Sequence, residues 1–132
     1  VKFCFSGKHT EEEVMNMVTE NGGYKAYLGT SNINEINQMI AEGDETAKMV
    51  SNALSYQVSK VIASHVATLK GDVDAIILTG IIFDSSRFLE NVKARIGSIA
   101  PIALYPSVND VEALAMFGYK ISKAEIEVKE YI

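Results

Sequence analysis

The sequence predicts an α/β fold: a small mixed or parallel sheet flanked by helices, with one long helix. Three observations carry this. Ala75, Ile76, Ile77 and Leu78 form an unbroken apolar run of strand length, suited to a strand buried on both faces. Thr79 and Gly80 end it, and Asp84, Ser85 and Ser86 offer caps for the helical pattern that follows. From Val73 onward the order is strand, helix, strand, helix, which implies parallel pairing and a right-handed crossover.

The 132 residues suit one domain, and with 48% hydrophobic and 22% charged residues the composition is that of a globular protein. The net charge of −5 and the lack of a basic cluster argue against a nucleic-acid or anionic-membrane surface. No apolar stretch reaches the roughly 20 residues of a membrane span. Cys4 is the only cysteine, which excludes a disulfide framework and a cysteine metal site and points to a reducing cytoplasmic setting. The chain opens at Val1 without a methionine or a signal peptide, and a piece of a longer protein is expected.

Phe3, Cys4 and Phe5 give a short apolar opening. The Ser6–Thr10 stretch contains Gly-Lys but lacks the rest of a phosphate loop, so it reads as a loop. Thr10 with Glu13 makes a capping box, Glu11 and Glu12 suit the positive helix end, and Asn21-Gly22-Gly23 stops the helix. Tyr24 to Leu28 reads as a short strand. Asn32 and Glu35 form an N-cap and N3 pair, after which Ile33, Ile36, Met39 and Ile40 recur at helical spacing until Gly43.

Asp44 to Lys70 is the longest element, about 40 Å if wholly helical. Val50, Leu54, Val58, Val61, Ile62, Val66 and Leu69 form its apolar stripe, and Gly71 suits its end. Ser51, Ser55, Ser59, Ala63 and Ala67 form a second ridge of small residues. That ridge admits a helix of the same subunit or of a second copy. His65 reads as a hydrogen-bonded histidine at the core edge, since no further ligand sits at metal spacing on that face. Downstream, Phe88, Leu89, Val92 and Ile96 define a helix closed by Gly97. Pro101 leads into the strand Ile102–Tyr105, and Pro106 and Ser107 turn the chain. Asn109 caps a helix with Val111 and Leu114, and Lys123 to Ile132 reads as a short terminal helix. The residues thus divide into a mainly helical part, 1–71, and a strand-helix-strand-helix part, 72–132.

The chemistry inventory is thin. There is no Ser-His-Asp order, no metal-ligand cluster, no G-x-G-x-x-G and no P-loop. Asp72 and Asp74 lie at the amino end of the buried strand, whereas ligands gather at the carboxyl ends. There, Asp84 is explained equally by capping, and Gly80 either lets a ligand approach the backbone or merely turns the chain. Asp110 suits a helix dipole or a metal-bound phosphate.

The segments "CFSGKHTEEEV", "GGYKAYLGTSNINEI", "EGDETAKMVSNALSYQVSKVIA", "LKGDVDAIILTGIIFDSSRF" and "IAPIALYPSVNDVEALA" together make the chain resemble the C-terminal part of a butyrate kinase, in the acetate kinase group of the actin-like and sugar-kinase superfamily. The resemblance runs along essentially the whole chain. It implies a C-terminal domain fragment of the ribonuclease-H-like (actin-like ATPase) fold. It further implies reversible transfer of phosphate between ATP and butyrate or a similar short-chain carboxylate, giving ADP and an acyl phosphate, with Mg2+ bridging the phosphates. The family's acyl pocket and main catalytic residues lie upstream, so no catalytic residue is expected in this chain, and this part alone is expected to be inactive. A homo-oligomer is the expected state.

Two family loops frame the nucleotide. The turn G-T-x-D-x-R is matched by Gly29 to Asn34, which assigns Asn32, Ile33 and Asn34 to nucleotide binding. The adenosine motif T-G-G-I is matched by Thr79, Gly80, Ile81 and Ile82, with Ser85 just beyond. The family's Asp is here Asn32, its Arg is Asn34 and its second glycine is Ile81. These departures remove an anionic acceptor and a planar cation and add a β-branched side chain where backbone meets ligand. Asp110 matches an acidic residue near the magnesium, an indirect contact. A degenerate, non-catalytic relative that serves as a binding or structural subunit is therefore the alternative. An isolated flavodoxin-like module is a weaker one, because two strands make too small a sheet.

Overall fold

The computed structural model describes residues 2–105 and 110–128. The Pro106–Ser107 turn, the Asn109 cap and the side chain of Asp110 lie outside the described residues.

Helix α1 (Glu11–Thr19) begins at the capping box: Thr10 Oγ1 accepts from the Glu13 amide at 3.2 Å, and Glu13 accepts from the Thr10 amide at 2.8 Å. The segment from Gly23 to Leu28 is helix α2, not a strand. Gly29, at φ 75, closes it in the left-handed region. Tyr24 and Leu28, one turn apart, both pack into the apolar cluster that holds α3 (Ile33–Ala41). Side-chain burial on one helical face overrode the strand-like composition of this short window.

Helix α4 (Glu45–Thr68) starts where Asp44 accepts from the amides of Thr46 and Ala47. Lys70 and Gly71, both at positive φ, end it, and the Gly71 amide donates back to the Val66 carbonyl at 2.9 Å. The small-residue ridge closes inside the chain over its first half: Ser51, Ser55 and Ser59 are buried, and Ser51 accepts from the Tyr24 hydroxyl at 3.1 Å. Ala63 and Ala67 are exposed, and so are Val61 and Leu69 of the apolar stripe. His65 is likewise exposed, outside the core.

Strand β1 (Ile76–Thr79) pairs in parallel with β2 (Ile102–Tyr105), Ile76 opposite Ile102. Helix α5 (Ser86–Ile96) lies between them in sequence. Its Phe88, Val92 and Ile96 are buried with Ile76 and Leu78, and Leu54, Val58 and Ile62 of α4 pack against the same cluster. Among the described residues, only this face of the sheet is covered. Ile77, expected to be buried, is 67% exposed, because no described element packs on the opposite face. Helix α6 (Asp110–Ser122) is exposed along its described side chains, including Val111, Leu114 and Phe117. The chain turns and bends after Ser122, so no helix runs through residues 123–128.

After β1 the chain passes through Gly80, at φ 105 and ψ 157, into the 3-10 turn Ile81–Asp84. That backbone conformation is essentially confined to glycine. A Cβ at Gly80 would meet nothing within 4 Å, so the requirement is conformational, not steric crowding. In the full-length protein carrying this sequence, Gly80→Ala is expected to lower stability by about 1–3 kcal/mol in urea denaturation. An unchanged midpoint would show that the loop does not need this backbone.

Burial pushes the Tyr24 phenol above the usual tyrosine range, partly offset by its hydrogen bond with Ser51. A phenol shifted upward on folding stabilises the folded state below its unfolded pKa, about 10, and loses that contribution as pH rises through the folded value. The stability gap between the wild type and Tyr24→Phe, measured by denaturant titration, is expected to narrow above about pH 10. A gap that stays constant there would refute the assignment.

Candidate functional site

The carboxyl end of β1 and the start of α3 meet through apolar contacts. Ile33 and Ile36 of α3 are buried with Tyr24 and Val50, and Ile82 of the 3-10 turn packs against that cluster. Ile82 also packs against the cluster of α5 and β1. The two loops singled out in the sequence are thereby neighbours in the fold, although some 48 positions separate residues that bond across them.

Within this arrangement the candidate residues divide by what their side chains do. Ile33 is buried and Ile82 partly buried, so both hold the loops in place and neither offers a polar group. Asn32 is occupied by its own helix. Its Oδ1 accepts from the Asn34 amide at 3.0 Å, and its Nδ2 donates to Glu35 at 3.2 Å. Its own amide donates to Thr30 Oγ1 at 3.1 Å, so Thr30 stiffens the same turn. Asn34 is exposed at the first turn of α3. Thr79 is exposed at the end of β1, and Gly80 leaves open space beside bare backbone. Ile81 is 67% exposed, so its side chain stands in solvent at the mouth of the loop.

Ser85 is the buried polar residue of the group. As N-cap of α5 its Oγ accepts from the Phe88 amide at 3.4 Å, and its hydroxyl donates to Asn37 Oδ1 of α3 at 2.7 Å. A shallow depression of about 340 Å³ lies beside this bond, walled by Asn37 and Ile40 on one side and Ser85 and Arg87 on the other. Asn37 did not stand out in the sequence, because a polar residue on the flank of an amphipathic helix carries no signal for a partner so distant in sequence.

The donor set fits a nucleotide held by backbone, apolar surface and neutral amides. Asn32 and Asn34 supply no ionised side chain. Among the described residues no three His, Cys, Asp or Glu side chains gather at one point, so a magnesium ion here would depend on ligands from elsewhere, the phosphates included. No helix among the described residues is long and apolar enough to cross a membrane.

Comparison with known proteins agrees with this architecture. Residues 5–129 match the model of the acetokinase family. The chain is 41% identical over 131 residues to butyrate kinase 2 of Clostridium acetobutylicum, covering 99% of this chain and 37% of that protein. It is 40% identical to a probable butyrate kinase 2 of Caldanaerobacter subterraneus, with the same coverage. The chain thus spans little more than a third of the length of these curated relatives. The crystal structure of a propionate kinase from Francisella tularensis superposes with a TM-score of 0.64 at 18% identity, over 77% of this chain and 33% of that one, which establishes likeness of fold. With all but a few terminal residues inside the family match, the chain belongs to the acetokinase family.

Proposed function

We propose that the full-length protein carrying this sequence transfers a phosphoryl group between ATP and a short-chain carboxylate, of which butyrate is the leading candidate, and that this chain supplies part of the nucleotide side of the cleft. The observation that carries the reading is the 41% identity, along 99% of this chain, to a protein named butyrate kinase 2. In the forward direction a carboxylate oxygen forms a bond to the γ-phosphorus as the bond to the ADP oxygen breaks, leaving an acyl phosphate. Catalysis of such transfer is chiefly positioning and charge neutralisation, the latter supplied by Mg2+.

This chain's share is positioning. Gly80 presents bare backbone with free space beside it, and Thr79 and Ile81 flank it. Ile82, packed against the cluster that holds Ile33, ties the turn after Gly80 to the helix that Asn32 caps. Asp110 is assigned an indirect role near the magnesium. The acyl pocket and the catalytic residues belong to the remaining length of the protein, so this part alone is inactive. A cytoplasmic homo-oligomer completes the reading.

A second reading is favoured by Asn32, Asn34 and Ile81: a relative that keeps the fold but has lost chemistry and serves as a binding or structural subunit. Asn32 engages its amide in capping α3, and Ile81 stands 67% exposed at the loop mouth.

The full-length protein, given MgATP and a series of short-chain acids, is expected to form acyl phosphate, trapped with hydroxylamine. No turnover above background with any acid would sink the enzymatic reading and leave the second. Calorimetry with Mg-ADP is expected to give binding that Ile81→Gly tightens about tenfold, or about 1.4 kcal/mol. Equal affinity in the two proteins would clear Ile81 of obstructing the loop.

A further inference from the structure

We propose that Asn37 is a positioning residue for the nucleotide loops, setting their spacing through its hydrogen bond with Ser85; this rests on the kinase reading above. The bond is 2.7 Å long, its acceptor on α3 and its donor at the N-cap of α5. It joins elements that the chain reaches only after passing through α4 and β1. On one side Asn37 stands on the helix that Asn32 caps and whose first turn holds Asn34. On the other, Ser85 follows directly on the turn that carries Ile81 and Ile82.

An apolar fastener and a polar one hold these loops together, and they differ in kind. The packing of Ile82 against the cluster that includes Ile33 and Ile36 is apolar and non-directional. It brings the loops together but permits sliding and rotation. The Ser85–Asn37 bond is directional, since hydrogen bonds weaken steeply away from good alignment. Ser85 is 3% exposed and its hydroxyl hydrogen has been given to Asn37, so the group is poorly placed to find water if the acceptor is lost. Its oxygen meanwhile caps α5 through the Phe88 amide. One hydroxyl therefore links the start of α5, the turn after Gly80 and the body of α3. Asn37 touches neither nucleotide nor carboxylate in this account and acts only through Ser85.

The test uses the full-length protein. Asn37→Ala is expected to raise KM for ATP by roughly fivefold or more, with kcat and KM for the carboxylate within about twofold of wild type. Asn37→Asp, which keeps an acceptor for the Ser85 hydroxyl, is expected to restore KM for ATP. A general structural defect would instead lower the active fraction without this split, and the conservative variant would not select one substrate. Equal KM for ATP in wild type and Asn37→Ala, or parallel changes for both substrates, overturns the proposal. Amide hydrogen exchange without nucleotide gives an independent reading. Asn37→Ala should accelerate exchange at Phe83, Ser85 and Phe88 relative to wild type and Asn37→Asp, and unchanged rates overturn the proposal. If the wild type neither binds nor turns over ATP, the kinase reading falls, and the exchange rates alone decide whether Asn37 couples the loops.

Discussion

Leu54 and Ile82 are the contacts on which the arrangement depends. Both pack against the cluster of α5 and the sheet and against the cluster of α2 and α3. Leu54 lies near the middle of α4, the helix that all the larger helix–helix packings share. Ile82 lies in the turn after β1. Without them the strand-helix-strand unit and the α2–α3 layer would be separate apolar patches on one long helix. With them the carboxyl end of β1 faces the start of α3, which is where an open α/β sheet offers a ligand site.

The serines of α4 make that packing possible from below. A ridge of Ser51, Ser55 and Ser59 keeps the helix surface low, so neighbours approach closely. Each hydroxyl finds an answer: Ser55 and Ser59 donate to carbonyls of their own helix, and Ser51 accepts from Tyr24. Small size without an unsatisfied polar group is what the position demands. The opposite face of the sheet is in a different state. Ile77 and Tyr105 are exposed there, and α6 carries Val111, Leu114 and Phe117 in solvent. Among the described residues the sheet has two strands and one bare face, the state expected of part of a larger sheet, in keeping with a chain that spans 37% of the length of its relatives.

Much of this was legible in the residues. The caps at Thr10, Asn32 and Ser85 are short-range devices, written in neighbouring positions and found where the spacing put them. The parallel pairing of β1 with β2 followed from element order alone. What failed depended on distant partners. Tyr24 to Leu28 is too short to declare its period, and α4 and α3 decided it. An apolar run reads as buried on both faces whether or not the second cover is present, so Ile77 was misplaced. The neighbours Ile33 and Ile82 were legible as candidates only through the family resemblance, and the Ser85–Asn37 bond was not legible at all.

The candidate site sharpens one conflict between folding and binding. A carboxylate at position 32 can cap a helix with one oxygen and keep the other, with its charge, for a ligand. Asn32 has one acceptor oxygen, and the amide of Asn34 has taken it. One of its two side-chain N–H donors is turned to Glu35. Such a turn is stable without a ligand and gains little from one. The loop at Gly80 is the reverse: its backbone is unusual, its surroundings are open, and nothing within 4 Å would fill the space of a side chain. If the nucleotide binds here, the open strand end rather than the satisfied turn must supply most of the change in contacts. The rigidity of the link between them then matters more than the charge of either.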